Sequence, residues 1–141
     1  MKAKTFYIEP EFDFKLITIV SSLKDYRTCW LLNNTLKISF LRMPELEVPL
    51  TKKNKTAFFN LFEYYDHLDK MKYNLISNKD NGDMLLPELK TIDYIIKLEG
   101  DLDTAELKQE EWIATLKTIP FIEAVFAAEP EELKSRNNLI F

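Results

Sequence analysis

The 141-residue chain has one cysteine, one histidine and two glycines. Each scarcity removes a class of function. Cys29 alone cannot close an internal disulfide, and His67 alone cannot anchor a multi-histidine metal site. Gly82 and Gly100 are too few for a GxGxxG loop, and neither belongs to a GxxxxGK[ST] pattern, so nucleotide binding through such loops is excluded. No run approaches the roughly 18 consecutive apolar residues of a membrane-spanning helix. Met1 to Phe6 has no apolar leader character. A cytoplasmic protein without membrane contact, metal or cofactor is the expectation.

The chain is rich in apolar residues, at 46%, and in aromatics, at 13%, with ten Phe and six Tyr. At this length it can bury about two thirds of its unfolded surface, and the aromatic share points to a sheet-rich core. The net charge of −4 is opposite to that of a phosphate-binding surface, which makes nucleic acid a poor partner. Lys52, Lys53 and Lys55 are the one basic cluster. With Phe58 and Phe59 nearby they define a minor alternative, weak RNA contact through charge and stacking.

Periodicity divides the chain into alternating elements. Phe12 to Val20 reads as a buried strand. Ser22, with Asp25 three residues on, is placed to cap a helix in which Leu23, Tyr26, Trp30 and Asn33 follow helical spacing and whose wetter side carries Lys24, Asp25, Arg27 and Thr28. That helix is expected to stop near Asn33-Asn34. Leu36, Ile38 and Phe40 suggest a short extended piece, and Pro44 and Pro49 bracket a segment that cannot be a central strand. Residues 57–65 and 71–78 form a hairpin, and Asn81-Gly82 marks a second tight turn. Residues 92–98 alternate as a strand with one strongly buried face. Asp103 and Glu106 suggest a capping box and Leu102 and Leu107 a hydrophobic staple, opening a helix that runs to about Thr118. A strand over 121–127, a helical turn over 130–136 and the apolar tail Leu139-Ile140-Phe141 complete the pattern. The tail either docks on the chain's own core or offers itself to a partner.

This order predicts a single α+β domain over residues 1–141. Its sheet is antiparallel or mixed with two main helices packed on one face, ferredoxin-like with an added hairpin.

Candidate chemistry is sparse. His67 sits in a hairpin turn beside Asp66 and Asp69, Cys29 reads as a buried structural thiol, and Glu110-Glu111 and Glu131-Glu132 as solvated faces. No catalytic residue is assigned. One segment is more specific: Leu86-Pro87-Glu88-Leu89-Lys90-Thr91-Ile92-Asp93-Tyr94 resembles the signature of the bacterial IPExxxVDY family, with Leu86 in place of Ile and Ile92 in place of Val. Residues 21–33 and 133–141 are also similar to that family. The resemblance implies no established activity, substrate or cofactor.

Two readings of the motif are open. Glu88, Asp93 and Tyr94 form a polar site at a strand entrance, with Arg27 or Arg136 as counter-charge, or the two carboxylates satisfy backbone donors and ion pairs that fix the strand. The leading functional expectation is a noncatalytic protein-interaction or regulatory module with a protein partner. The alternative is a small-molecule-binding or enzymatic domain using Glu88, Asp93 and Tyr94.

Overall fold

The computed structural model describes residues 13–141; Met1 to Phe6 and the first residue of the expected opening strand lie outside that range. The elements are β1 (Phe14–Val20), α1 (Asp25–Leu36), β2 (Leu41–Leu50), β3 (Lys55–Asp66), β4 (Met71–Ser77), β5 (Lys79–Asp80), β6 (Asp83–Met84), β7 (Tyr94–Glu99), α2 (Leu102–Leu116) and β8 (Ala124–Ala128). Single 3-10 turns occupy Thr51–Lys53, Pro130–Glu132 and Arg136–Leu139.

Among the described residues six strands form one open antiparallel sheet in the order β2-β3-β4-β7-β1-β8, and β5 and β6 form a separate two-stranded ribbon. The fold is therefore α+β, as the element order implies. Within it, β1, α1, β4, β7, α2 and β8 follow the β-α-β-β-α-β scheme, with β7 between β1 and β4 and β1 between β7 and β8. The strands β2 and β3 extend this unit beyond β4.

β1 is an interior strand, paired with β7 on one side and β8 on the other, and both of its faces are covered: Leu16, Ile17 and Ile19 have no exposed surface. Residues 57–65 and 71–78 pair as read, through β3 and β4, and the Asp66 carboxylate organises their turn by accepting from the amides of Leu68 and Asp69. Asn81 and Gly82 take positive φ between β5 and β6. Pro44 and Pro49 fall in β2, an edge strand whose register shifts between Met43 and Leu46, so the prolines do not interrupt a central ladder.

Several boundaries differ from the sequence reading. α1 has no side-chain cap; Ser21, not Ser22, turns the chain, its hydroxyl accepting from Leu23 N at 3.2 Å. The helix continues past Asn33, whose side chain clasps the Phe40 backbone through both its amide groups, at 2.7 and 3.1 Å. Lys37 closes the helix with φ 59°, so Leu36 is helical and no strand forms over 36–40. α2 is capped by Asp101, whose carboxylate accepts from Thr104 N, with Asp103 in the first turn. Leu102 and Leu107 are exposed and form no buried staple. The last strand starts at Ala124 rather than Phe121.

Both helices cover one face of the sheet, where Leu32, Phe62, Tyr73, Ile96, Leu98, Trp112 and Leu116 build a core. Tyr73 sits between Tyr64 and Trp112, at 5.8 and 4.6 Å between ring centroids. The opposite face is also buried, but under irregular chain. Leu85, Leu86 and Ile92 from the segment before β7, and Leu133 and Leu139 from the C-terminal segment, seal Leu16, Phe59, Ile76 and Ile95. β7 is consequently buried on both sides, not one.

Candidate functional site

Irregular backbone over a sheet must find hydrogen-bond partners that a helix supplies for itself. The chain meets this need with the motif residues and with one asparagine. Asn78, fully buried, donates through Nδ2 to Leu89 O at 3.1 Å and Ile92 O at 2.9 Å, and its Oδ1 accepts from Leu86 N at 2.8 Å. Its own backbone bonds Asp93 O and Leu85 N. Residues 85–93 are folded around this single side chain.

Glu88 faces the C-terminal segment. Its two carboxylate oxygens accept from the Ser135 hydroxyl at 2.6 Å and the Ser135 amide at 2.9 Å. Partial burial opposes the charge, but these hydrogen bonds outweigh it and hold the Glu88 carboxyl below the ordinary glutamate value. Asp93 accepts from Ser21 N at 2.9 Å and pairs with Lys79 at 3.0 Å, while its amide bonds Ile19 O at 2.8 Å. Tyr94 turns to the other face and donates its hydroxyl to Leu23 O. Burial pushes its phenol above the ordinary value. Asp93 and Tyr94 thus grip opposite sides of the β1–α1 connection.

The five candidate residues do not converge. Asp93 and Tyr94 border one shallow hollow with Ser22 and Lys79, and Glu88 borders another with Thr18 and Phe126. Arg136 donates to Leu133 O at 2.8 Å within the C-terminal segment, and Arg27 lies on the outer side of α1. Glu88 joins the motif to Ser135, Asp93 joins it to Ser21 and Lys79, and Tyr94 joins it to Leu23, which is the geometry of fasteners.

The C-terminal segment docks internally. Leu139 is fully buried, and Lys97, on the same face of the sheet, donates to Leu139 O at 2.7 Å. The Lys97 ammonium also lies 4.1 Å from the Phe141 ring centroid and 4.9 Å from that of Phe14. Burial drives its pKa below the ordinary lysine value, against the pull of Glu99 at 3.3 Å.

The other candidates have defined surroundings. Lys53 and Lys55 both pair with the buried Asp83 at 2.8 Å, holding its carboxyl below the usual range, so two of the three clustered lysines serve an internal charge. His67 packs edge-on against Tyr65 in its turn. Cys29 is buried, and desolvation, with Asp25 adding to it, pushes its thiol up and away from thiolate reactivity. Among the described residues no three His, Cys, Asp or Glu side chains gather in metal-binding geometry, and no helix is long and apolar enough to cross a membrane.

The largest departure from the sequence reading is the phase of α1. Its buried residues are Thr28, Cys29 and Leu32, whereas Tyr26 and Trp30, expected inside, are 60% and 66% exposed. Together with Leu23, Arg27, Leu31 and Phe121, which is 62% exposed, they line an open groove of about 500 Å³. A signal was present in the sequence: α1 carries two apolar stripes, Cys29-Leu32-Leu36 and Leu23-Tyr26-Trp30, and one helix face cannot bury both. Comparison with protein-family models, curated proteins and solved structures finds no match.

Proposed function

We propose that the chain is a noncatalytic protein-interaction module of the bacterial IPExxxVDY family, acting in the cytoplasm and meeting its partner through the aromatic groove of α1. The observation that carries this reading is the exposure of Tyr26, Trp30 and Phe121 around one groove with Arg27 among its lining residues. Tryptophan, tyrosine and arginine dominate binding energy where proteins meet, and contiguous exposed apolar surface is uncommon on a chain that works alone. The motif residues support the same reading by default of the alternative, since Glu88, Asp93 and Tyr94 are engaged with backbone groups, the Ser135 hydroxyl and the Lys79 ammonium of the chain itself.

The test is affinity capture of the tagged protein from its own cells with crosslinking and mass spectrometry, run beside Trp30→Ala and Phe121→Ala. The expected result is a stoichiometric partner, crosslinked to α1, whose recovery falls at least tenfold in either variant while the melting temperature holds, because both side chains are mostly in solvent. A partner recovered equally by all three proteins, or none enriched over an untagged control, would overturn the reading.

A further inference from the structure

Among the described residues the sheet ends in β2 on one side and in β8 on the other, and the two edges are built differently. β2 contains Pro44, Pro49, Arg42, Glu45 and Glu47, together with its register shift. Prolines, charges and bulges are what keep an edge from templating another strand. β8, with the sequence Ala-Val-Phe-Ala-Ala, has none of these protections.

The direction of its peptide groups can be read from β1. Thr18 pairs with Phe126 and sends its hydroxyl to Phe126 O at 3.2 Å, and Val20 O accepts from Glu123 N at 2.9 Å. Phe126 therefore faces its peptide groups towards β1. Strand alternation then turns the N–H and C=O of Val125 and Ala127 outward, and among the described residues no strand pairs with them. Side chains beside this edge are apolar: Phe126 is 53% exposed and borders a hollow with Thr18, Leu89 and Ile92, and Phe121, three residues before the strand, leads into the α1 groove.

The surrounding charge is mostly negative. Glu123 precedes β8, Glu129, Glu131 and Glu132 follow it, and Glu88 borders the hollow. Against them stand Lys90, Lys134 and Lys15, the last paired with Glu129 at 2.7 Å. Two copies of β8 joined antiparallel about Phe126 would set Glu123 of each against Glu129 of the other, a like-charge arrangement that opposes self-pairing.

We propose that the outer edge of β8 receives an extended apolar segment of a partner protein, flanked by lysine or arginine, which adds a strand to the sheet. This rests on the interaction reading above and names the chemistry of the partner. Main-chain bonds to Val125 and Ala127 supply the pairing, alternate apolar side chains lie beside Phe126, and the flanking cations meet Glu123 and Glu88.

The probe is a fluorescein-labelled, lysine-flanked peptide of alternating valine and threonine, titrated by anisotropy. Two comparators accompany it, one glutamate-flanked and one N-methylated at alternate amides. The lysine-flanked peptide is expected to bind at least tenfold more tightly than either comparator. Ala127→Pro, which removes an outward N–H, should cost at least tenfold, and Glu123→Lys should reduce the preference for lysine flanks. Equal binding of the N-methylated peptide overturns strand addition however the proline variant folds. Absence of binding by the lysine-flanked peptide overturns it too. Sedimentation that reveals a dimer dispersed by Ala127→Pro assigns the edge to a second copy and overturns the partner assignment. Partner capture that needs Trp30 but survives Ala127→Pro overturns the edge proposal alone and leaves the groove reading standing.

Discussion

The two faces of the sheet are sealed by different means. On one face, α1 and α2 satisfy their own backbones and contribute side chains such as Leu32, Trp112 and Leu116, so packing alone suffices. On the other, residues 85–93 and 129–141 have few internal ladders, and side chains must complete their hydrogen bonds: Asn78 for the first segment, Glu88 and Asn138 for the junction between the two, and Lys97 for the second. The polar character of the motif follows from this difference. A residue that looks like a site in sequence is what an irregular cover requires.

The sharpest way to break this comparison is Asn78→Ala. It leaves Leu86 N and Ile92 O without partners and takes one of two hydrogen bonds from Leu89 O, and urea denaturation should register a loss of about 3–5 kcal/mol. A loss below about 1 kcal/mol would mean that the second face is held by apolar contact like the first. Deleting Leu139 to Phe141 removes one fully buried leucine and uncovers Lys97, and is expected to cost about 2–3 kcal/mol, read as a lowered melting temperature. An unchanged melting curve would take the C-terminal segment out of the cover.

On the helical face the expected sign reverses. The Tyr73 hydroxyl is buried with no hydrogen-bond partner among the described residues, so Tyr73→Phe should stabilise by about 1 kcal/mol. The smallest effect is Glu88→Gln. The Glu88 carboxyl is partly exposed, so its loss is expected to cost less than about 1 kcal/mol at neutral pH. Its folded-state pKa is depressed, so the stabilisation is present above the unfolded value and disappears as pH falls through the folded one. The stability curves of wild type and variant should therefore converge in acid; curves that stay parallel would show that the Ser135 contact does not depend on the carboxylate.

What was legible in the sequence was local. The β-branched run of β1, the hairpin of β3 and β4, and the Asn81-Gly82 turn are written within a few residues each. The burial of β7 on both faces depends on chain that arrives from elsewhere. The phase of α1 was ambiguous because its two apolar stripes compete, and contact with the sheet selects the one containing Cys29 and Leu32. For the candidate site, the pairing of Asp93 with Tyr94 at a strand entrance was readable. The partner of Glu88 lies 47 residues away, at Ser135, and Asn78 is one polar residue at a turn with no periodic signature. Nothing short of the fold connects them.

The pairing of β1 on both of its sides also has a consequence in time. Ile19 pairs with Tyr94 and Thr18 with Phe126, so both flanking strands are synthesised long after β1 itself. Until they arrive, Phe14–Val20, apolar on both sides with Lys15 as its only charge, is an unpaired strand exposed to every other nascent chain in reach. The same apolar faces that bury β1 in the finished sheet make it a segment in need of a chaperone while the sheet is being made.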